Sequence, residues 1–151
     1  MKKQTLDDDC RVLSIGQPWA ELILRRCKPF EIRSWKRAYR GTLLIHASKT
    51  WRAEPARELG IMKDDVTFGA IVGVAKVTDI RPFTKADAAL LKKKRGGNGS
   101  WEPDQFAWVL GSVTRIEPIP FKGQLGLFTP PPAVLQRIKA RMNKSAAGGV
   151  K

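Results

Sequence analysis

Residues 17–49 read QPWAELILRRCKPFEIRSWKRAYRGTLLIHASK, and three successive patterns inside this stretch decide the fold. Trp19, Leu22 and Ile23 recur at helical spacing, so a helix is expected over residues 18–27. Pro18 suits its first position, where the missing N–H has no helical partner. Lys28-Pro29 ends it. From Phe30 to Trp35 the pattern alternates, with Phe30 and Ile32 on one face and Glu31, Arg33 and Trp35 on the other. Arg40-Gly41 then makes a turn into a second strand over residues 42–48. Leu43, Ile45 and Ala47 share one of its faces; Leu44, His46 and Ser48 share the other. Trp19 reads as core by its spacing, and His46 as either a satisfied structural group or an acid–base. The polar face of the first strand admits two readings, a charged outer surface or the wall of a cleft.

Charge gathers in the same place. Between Arg25 and Arg52 stand nine lysines and arginines against the single acid Glu31, a local net charge of +8. Trp19, Trp35 and Trp51 are interleaved with them, which suits a polyanion carrying stackable rings. The whole chain carries +14 and a pI near 10.3. Folding does not need such an excess; a polyanionic partner explains it, nucleic acid before an anionic membrane.

The flanking sequence continues the theme of short strands. Residues 11–15 alternate into a first strand, and Phe68 to Ile80, FGAIVGVAKVTDI, reads as a central strand with bends at Gly69 and Gly73. Residues 55–59 form a short helix closed by Gly60. Thr84 and Asp87 resemble a capping box that opens a helix over 85–94. The run Lys92-Lys93-Lys94-Arg95 with the glycines after it reads as a solvated loop able to steer phosphates. Residues 105–114 form a strand with Phe106, Trp108 and Leu110 on one face. Residues 117–127, punctuated by Pro118, Pro120, Gly123 and Gly126, should be short edge or closing strands. Val134, Leu135, Ile138 and Met142 mark a final helix over 133–143. The domain is expected to span residues 11–143, between a flexible lead (1–10) and a flexible tail (144–151).

At 151 residues the chain is one domain with a proper core. No apolar run approaches the roughly 20 residues of a spanning helix. The N-terminus lacks the apolar segment of a signal peptide, so a cytoplasmic setting without membrane contact is expected. Cys10, Cys27 and the single His46 have no metal-ligand spacing; the two cysteines read as free thiols and no metal or cofactor is expected. Dinucleotide and Walker motifs are missing too. The pattern gives an α+β fold on a mostly antiparallel, curled sheet or barrel, with three to four short flanking helices.

The run LSIGQPWAELILRRCKPFEIRSWKRAYRGTLLIHAS, residues 13–48, resembles the opening of an ASCH domain. The signature G-x-K-x-x-E-x-R stands here as Arg26-Cys-Lys28-Pro-Phe-Glu31-Ile-Arg33, with Arg26 in the glycine's place. GAIVGVAKVTDI, FAWVLGSV and PIPFKGQLGLF are similar to the family's later strands, so the likeness covers about residues 13–128. It implies a PUA-like β-barrel whose side cleft holds Lys28, Glu31 and Arg33 and takes RNA, more than DNA, as partner. A role in RNA metabolism or transcription regulation goes with that. Gln17, Trp35, Lys36, Arg40, His46, Ser48 and Lys49 are neighbours by motif position. Some relatives resemble amidohydrolases that deacetylate 4-acetylcytidine with a Lys, a Thr three residues later and a Glu; another type is a ribonuclease. Lys28 matches that Lys, but Glu31 stands where the Thr would be. If the chain is an enzyme, Lys28 and Glu31 are its catalytic pair.

Overall fold

Alternating runs separated by turns give six strands, and a computed structural model describes them over residues 6, 7 and 9–148. In chain order the elements are β1 (Arg11–Gln17), α1 (Trp19–Leu24), β2 (Phe30–Arg33), β3 (Gly41–Trp51), α2 (Ala53–Leu59), β4 (Ala70–Pro82), α3 (Lys85–Lys94), β5 (Phe106–Pro120), β6 (Leu127–Phe128) and α4 (Pro132–Gly148). A single sheet runs in the order β2-β5-β4-β3-β1-β6. Every pairing is antiparallel except β1 with β3, which α1 and β2 separate in the chain. The fold is thus α+β and mostly antiparallel.

Closure is where expectation and structure part. Among the described residues no pairing joins β2 to β6, so the sheet is open where a barrel was expected. The edge strands are too short to zip together, four residues in β2 and two in β6. A side chain spans the seam instead: Arg33 on β2 donates through Nη2 to the Ser14 carbonyl of β1 at 2.8 Å.

Both faces of the sheet are covered. Leu13, Ile15, Leu43, Ile45 and Trp108 pack with Ile23 and Leu24 of α1. Their neighbours Val12 and Leu44 point the other way, meeting Ile71, Val74 and the Ile138–Met142 stripe of α4. Phe30 and Phe83 are covered by Ala88 and Leu91 of α3, and Leu22 joins Ala56 of α2. Thr84 and Asp87 exchange the reciprocal bonds of a capping box, as their spacing predicts.

Most boundaries move by a few residues, and three of the differences have a physical reason. Strand β5 continues through Pro118 and Pro120 as one strand, because β2 covers only residues 106–109 of it and leaves this end an edge where proline is tolerated. Helix α4 continues past 143 to Gly148; the expected lead at 1–5 and 8, and the tail at 149–151, lie outside the described residues. Helix α1 starts at Trp19, with Pro18 as its cap, and stops at Leu24 instead of Cys27. Arg26 adopts left-handed backbone (φ 63°), and the N–H groups of Cys27 and Lys28 fold back onto the Leu22 carbonyl.

That last feature explains the glycine of the G-x-K-x-x-E-x-R pattern. A left-handed residue with a Cβ costs about 1–2 kcal/mol. Arg26 offsets part of it by donating from Nη2 to the Val113 carbonyl at 2.8 Å. Replacing Arg26 by Ala loses that bond and keeps the strain; replacing it by Gly loses the bond and relieves the strain. Arg26→Gly should therefore be more stable than Arg26→Ala by about 1 kcal/mol in urea unfolding. Equal stability of the two variants would remove backbone strain as the reason.

Candidate functional site

The turn that ends α1 delivers Lys28, and the alternation of β2 puts Glu31 and Arg33 on its side. Lys28 and Glu31 are buried, 6% and 4% exposed. Lys28 Nζ donates to Glu31 Oε1 at 2.7 Å, while Arg33 donates to Oε2 from Nε at 3.0 Å and Nη2 at 2.8 Å. Burial alone would raise the Glu31 carboxyl; the charges of Lys28 and Arg33 and their hydrogen bonds outweigh it and hold the group below its usual 4.5. Lys28 Nζ also lies 5.2 Å from the centre of the Trp19 ring. The three residues form one charge-assisted network with a residual positive charge.

They sit in a cleft of about 510 Å³. Gly16 and Trp19 border it on one side, Pro55, Glu58 and Leu59 of α2 on another, and the segment 96–105 on a third. Gly96 is where backbone must touch backbone: a Cβ there would lie 2.2 Å from the Cys27 carbonyl oxygen and 2.9 Å from Lys28 Cα. The loop is thereby seated against the residue that carries the motif lysine. The exposed run 92–95 lies in the chain between cleft-lining Leu91 and Gly96, so four cations are anchored next to the cleft.

The residues named as motif neighbours, Gln17, Trp35, Lys36, Arg40, His46, Ser48 and Lys49, do not line this cleft. Gln17 is 1% exposed and committed to structure: its Oε1 accepts from the Glu21 N–H and its Nε2 donates to the Thr67 carbonyl. His46 is buried between Ser14 Oγ, 3.0 Å from Nδ1, and the Phe121 carbonyl, 2.6 Å from Nε2, which makes it a satisfied structural histidine. Burial lowers its pKa below 6.5, and the bond to Phe121 opposes that only in part. Trp35 packs edge-on against Trp108 at 5.0 Å, with the Arg37 and Arg33 guanidinium carbons 4.5 and 5.9 Å from its ring centre. Lys36 is exposed above Phe106, and Arg40 is exposed and paired with Asp79 at 3.2 Å. Ser48 Oγ accepts from the Thr50 N–H, and Lys49 is exposed. Trp19, read from the sequence as core, packs against the core and lines the cleft as well.

Sequence reasoning passed over several cleft residues. Glu58 comes from α2; Asn98, Ser100, Glu102 and Gln105 come from the connection before β5. The Gly96-Gly97 pair, read from the sequence as part of a solvated loop, is the one local signal there that could have shown close approach. The same reasoning also passed over Glu21, buried under Arg25, its own helix neighbour at 2.7 Å, and under Arg115, whose bond at 2.8 Å ties α1 to β5. Cys10 and Cys27 are free thiols, and burial pushes Cys10 up to about 11.

Comparison with solved structures finds the same architecture in an ASCH protein from Zymomonas mobilis, at a TM-score of 0.58 and 14% identity, covering 89% of this chain and 96% of that one. Two single-substitution variants of that protein align with TM-scores of 0.57 and 0.56, also at 14% identity, covering 87% and 89% of this chain and 96% of theirs. At this identity the likeness speaks for the fold. No curated protein matches the chain in a sequence comparison. The sequence profile described as the ASCH domain matches residues 13–120, from the first strand through the end of β5 and across the whole Lys28–Glu31–Arg33 network. This chain belongs to the ASCH domain family.

Proposed function

We propose that this ASCH domain binds nucleic acid, RNA or another single strand in preference to duplex DNA, through the cleft around Lys28, Glu31 and Arg33. The observation that carries the reading is the position of the 92–95 run, four exposed cations bracketed by cleft-lining residues in a chain of net charge +14. Exposed cations beside a cleft attract a phosphate backbone, and the Trp19 ring in the wall offers a stacking surface. A hydrolase acting on RNA or a modified nucleoside is the weaker reading. Its two candidate groups, Lys28 and Glu31, are bonded to each other, and Arg33 fills the remaining carboxylate oxygen. Labelled RNA and 4-acetylcytidine left intact by the protein agree with the binder; turnover lost in Lys28→Ala would favour the enzyme.

Fluorescence titration with single-stranded RNA at low salt is the direct test. Neutralising four phosphates on a single strand gives a log–log salt slope of about −3. Changing residues 92–95 together to glutamine should flatten the slope by about that amount. Absence of binding at low salt would end the proposal.

A further inference from the structure

The charges lining the cleft have a different sign from those of the neighbouring 92–95 run. Two cations line it, Lys28 and Arg33, against three carboxylates, Glu31, Glu58 and Glu102, a net charge of −1. Lys28 and Arg33 are already engaged by Glu31, whose two oxygens accept all the bonds they offer to it. Glu58 and Glu102 are exposed, and among the described residues neither has an ion pair. They stand on separate elements, α2 and the segment before β5, so two walls of the cleft present free carboxylate. Between them the surface is apolar and partly aromatic, with Trp19, Ile32, Leu59 and Phe83.

A phosphate inside would face like charge on two sides, while a flat ring would find apolar walls with hydrogen-bond acceptors at its edge. The volume of about 510 Å³ lies within the roughly 300–1,000 Å³ typical of small-ligand sites. Resting on the nucleic-acid reading above, we infer that the cleft receives an unpaired base bearing an amino group, adenine or cytosine over uracil, with Glu58 and Glu102 as its specificity-determining acceptors and the phosphates held outside on the 92–95 run. The amino groups of adenine and cytosine donate to carboxylates. Uracil carries a carbonyl oxygen where cytosine carries its amino group, so that position is repelled by a carboxylate and N3–H is left as its only donor on that edge. The basic run supplies attraction without choice; the acidic walls supply choice.

The test uses the full chain in two arms. In the first, short single-stranded RNA homopolymers of adenine, cytosine and uracil are titrated at low salt. The adenine and cytosine strands are expected to bind about tenfold tighter than the uracil strand. In the Glu58→Gln/Glu102→Gln variant, whose amides both donate and accept, the difference should largely vanish while the salt slope stays unchanged. In the second arm, adenosine, cytidine, uridine and inorganic phosphate are added separately while the Trp19 indole N–H is followed by NMR. Adenosine and cytidine should shift it, and phosphate should not. Homopolymers that bind equally well would overturn the inference and leave the nucleic-acid reading standing. So would a preference untouched by the double variant, or a phosphate response equal to that of the nucleosides. Discrimination among nucleosides with no binding of any strand would keep the inference and remove the polymer. Silence in both arms removes both.

Discussion

Glu31→Ala is expected to lower folding stability by about 3–5 kcal/mol, the cost of leaving one partner of a buried ion pair alone. Lys28, 6% exposed, would keep its charge with no carboxylate beside it, while Arg33, with a quarter of its side chain exposed, can turn toward water. Removing the charge on both sides should reverse most of the loss: Lys28→Met/Glu31→Leu replaces the pair by apolar groups of similar size, a change that is often neutral or stabilising. Urea unfolding of wild type, the single variant and the double variant decides it. A single variant as stable as wild type would mean that the pair is not buried as described. The double variant also separates the two uses of the motif, since it should fold well and lose any ligand that needs Lys28.

Acid acts on the same group. Glu31 has its folded pKa held below 4.5, so its ionised form stabilises the fold above 4.5, and that contribution is lost as pH falls through the depressed folded value. Glu21 and Asp87 are lowered as well and act in the same direction. His46 precedes them. Its folded pKa lies below 6.5, so the unfolded chain takes up the proton first and stability begins to fall as pH drops through 6.5. Stability measured from neutral pH downward should fall in two stages, and His46→Gln should remove the earlier one. A single stage that begins only near pH 4 would contradict the burial of His46.

Trp108→Ala should cost about 3–5 kcal/mol, the range for emptying an aromatic site in a packed core. Trp108 is fully buried, pairs edge-on with Trp35 at 5.0 Å and donates from Nε1 to the Trp35 carbonyl at 3.3 Å. It joins the interior of the sheet to the segment that follows β2. The fall in Tm should be roughly 10 °C. Trp108→Phe keeps most of the apolar contact and should lose less than half as much. If both variants melt alike, the cost lies in the Nε1 bond and not in the cavity.

What could be read in advance follows the range of the interactions. The faces of β2 and β3 and the Thr84–Asp87 box depend on neighbours within a few positions, and periodicity carries them; the meeting of Lys28 with Glu31 and Arg33 was legible only through the family motif. The cleft's other walls do not: Glu58 and Glu102 reach it through the packing of α2 and a loop, with no local pattern to announce them. The fate of His46 depends on a carbonyl 75 positions away. Gln17 looked available because its cap bond to Glu21 and its bond to Thr67 are tertiary facts. Closure of the sheet failed for a similar reason, since it turned on whether β2 and β6 were a few residues longer.

The open seam has a mechanical consequence. In a closed barrel, force pulling two strands apart is shared along a ladder of backbone bonds and no one bond governs the yield. Among the described residues the hydrogen bond from β2 to β1 is the one from the Arg33 guanidinium to the Ser14 carbonyl, and load across the seam falls on it. Arg33 is also the side chain nearest to a ligand's reach in the Lys28–Glu31 network. Whatever pulls on that guanidinium in the cleft pulls on the strap across the seam.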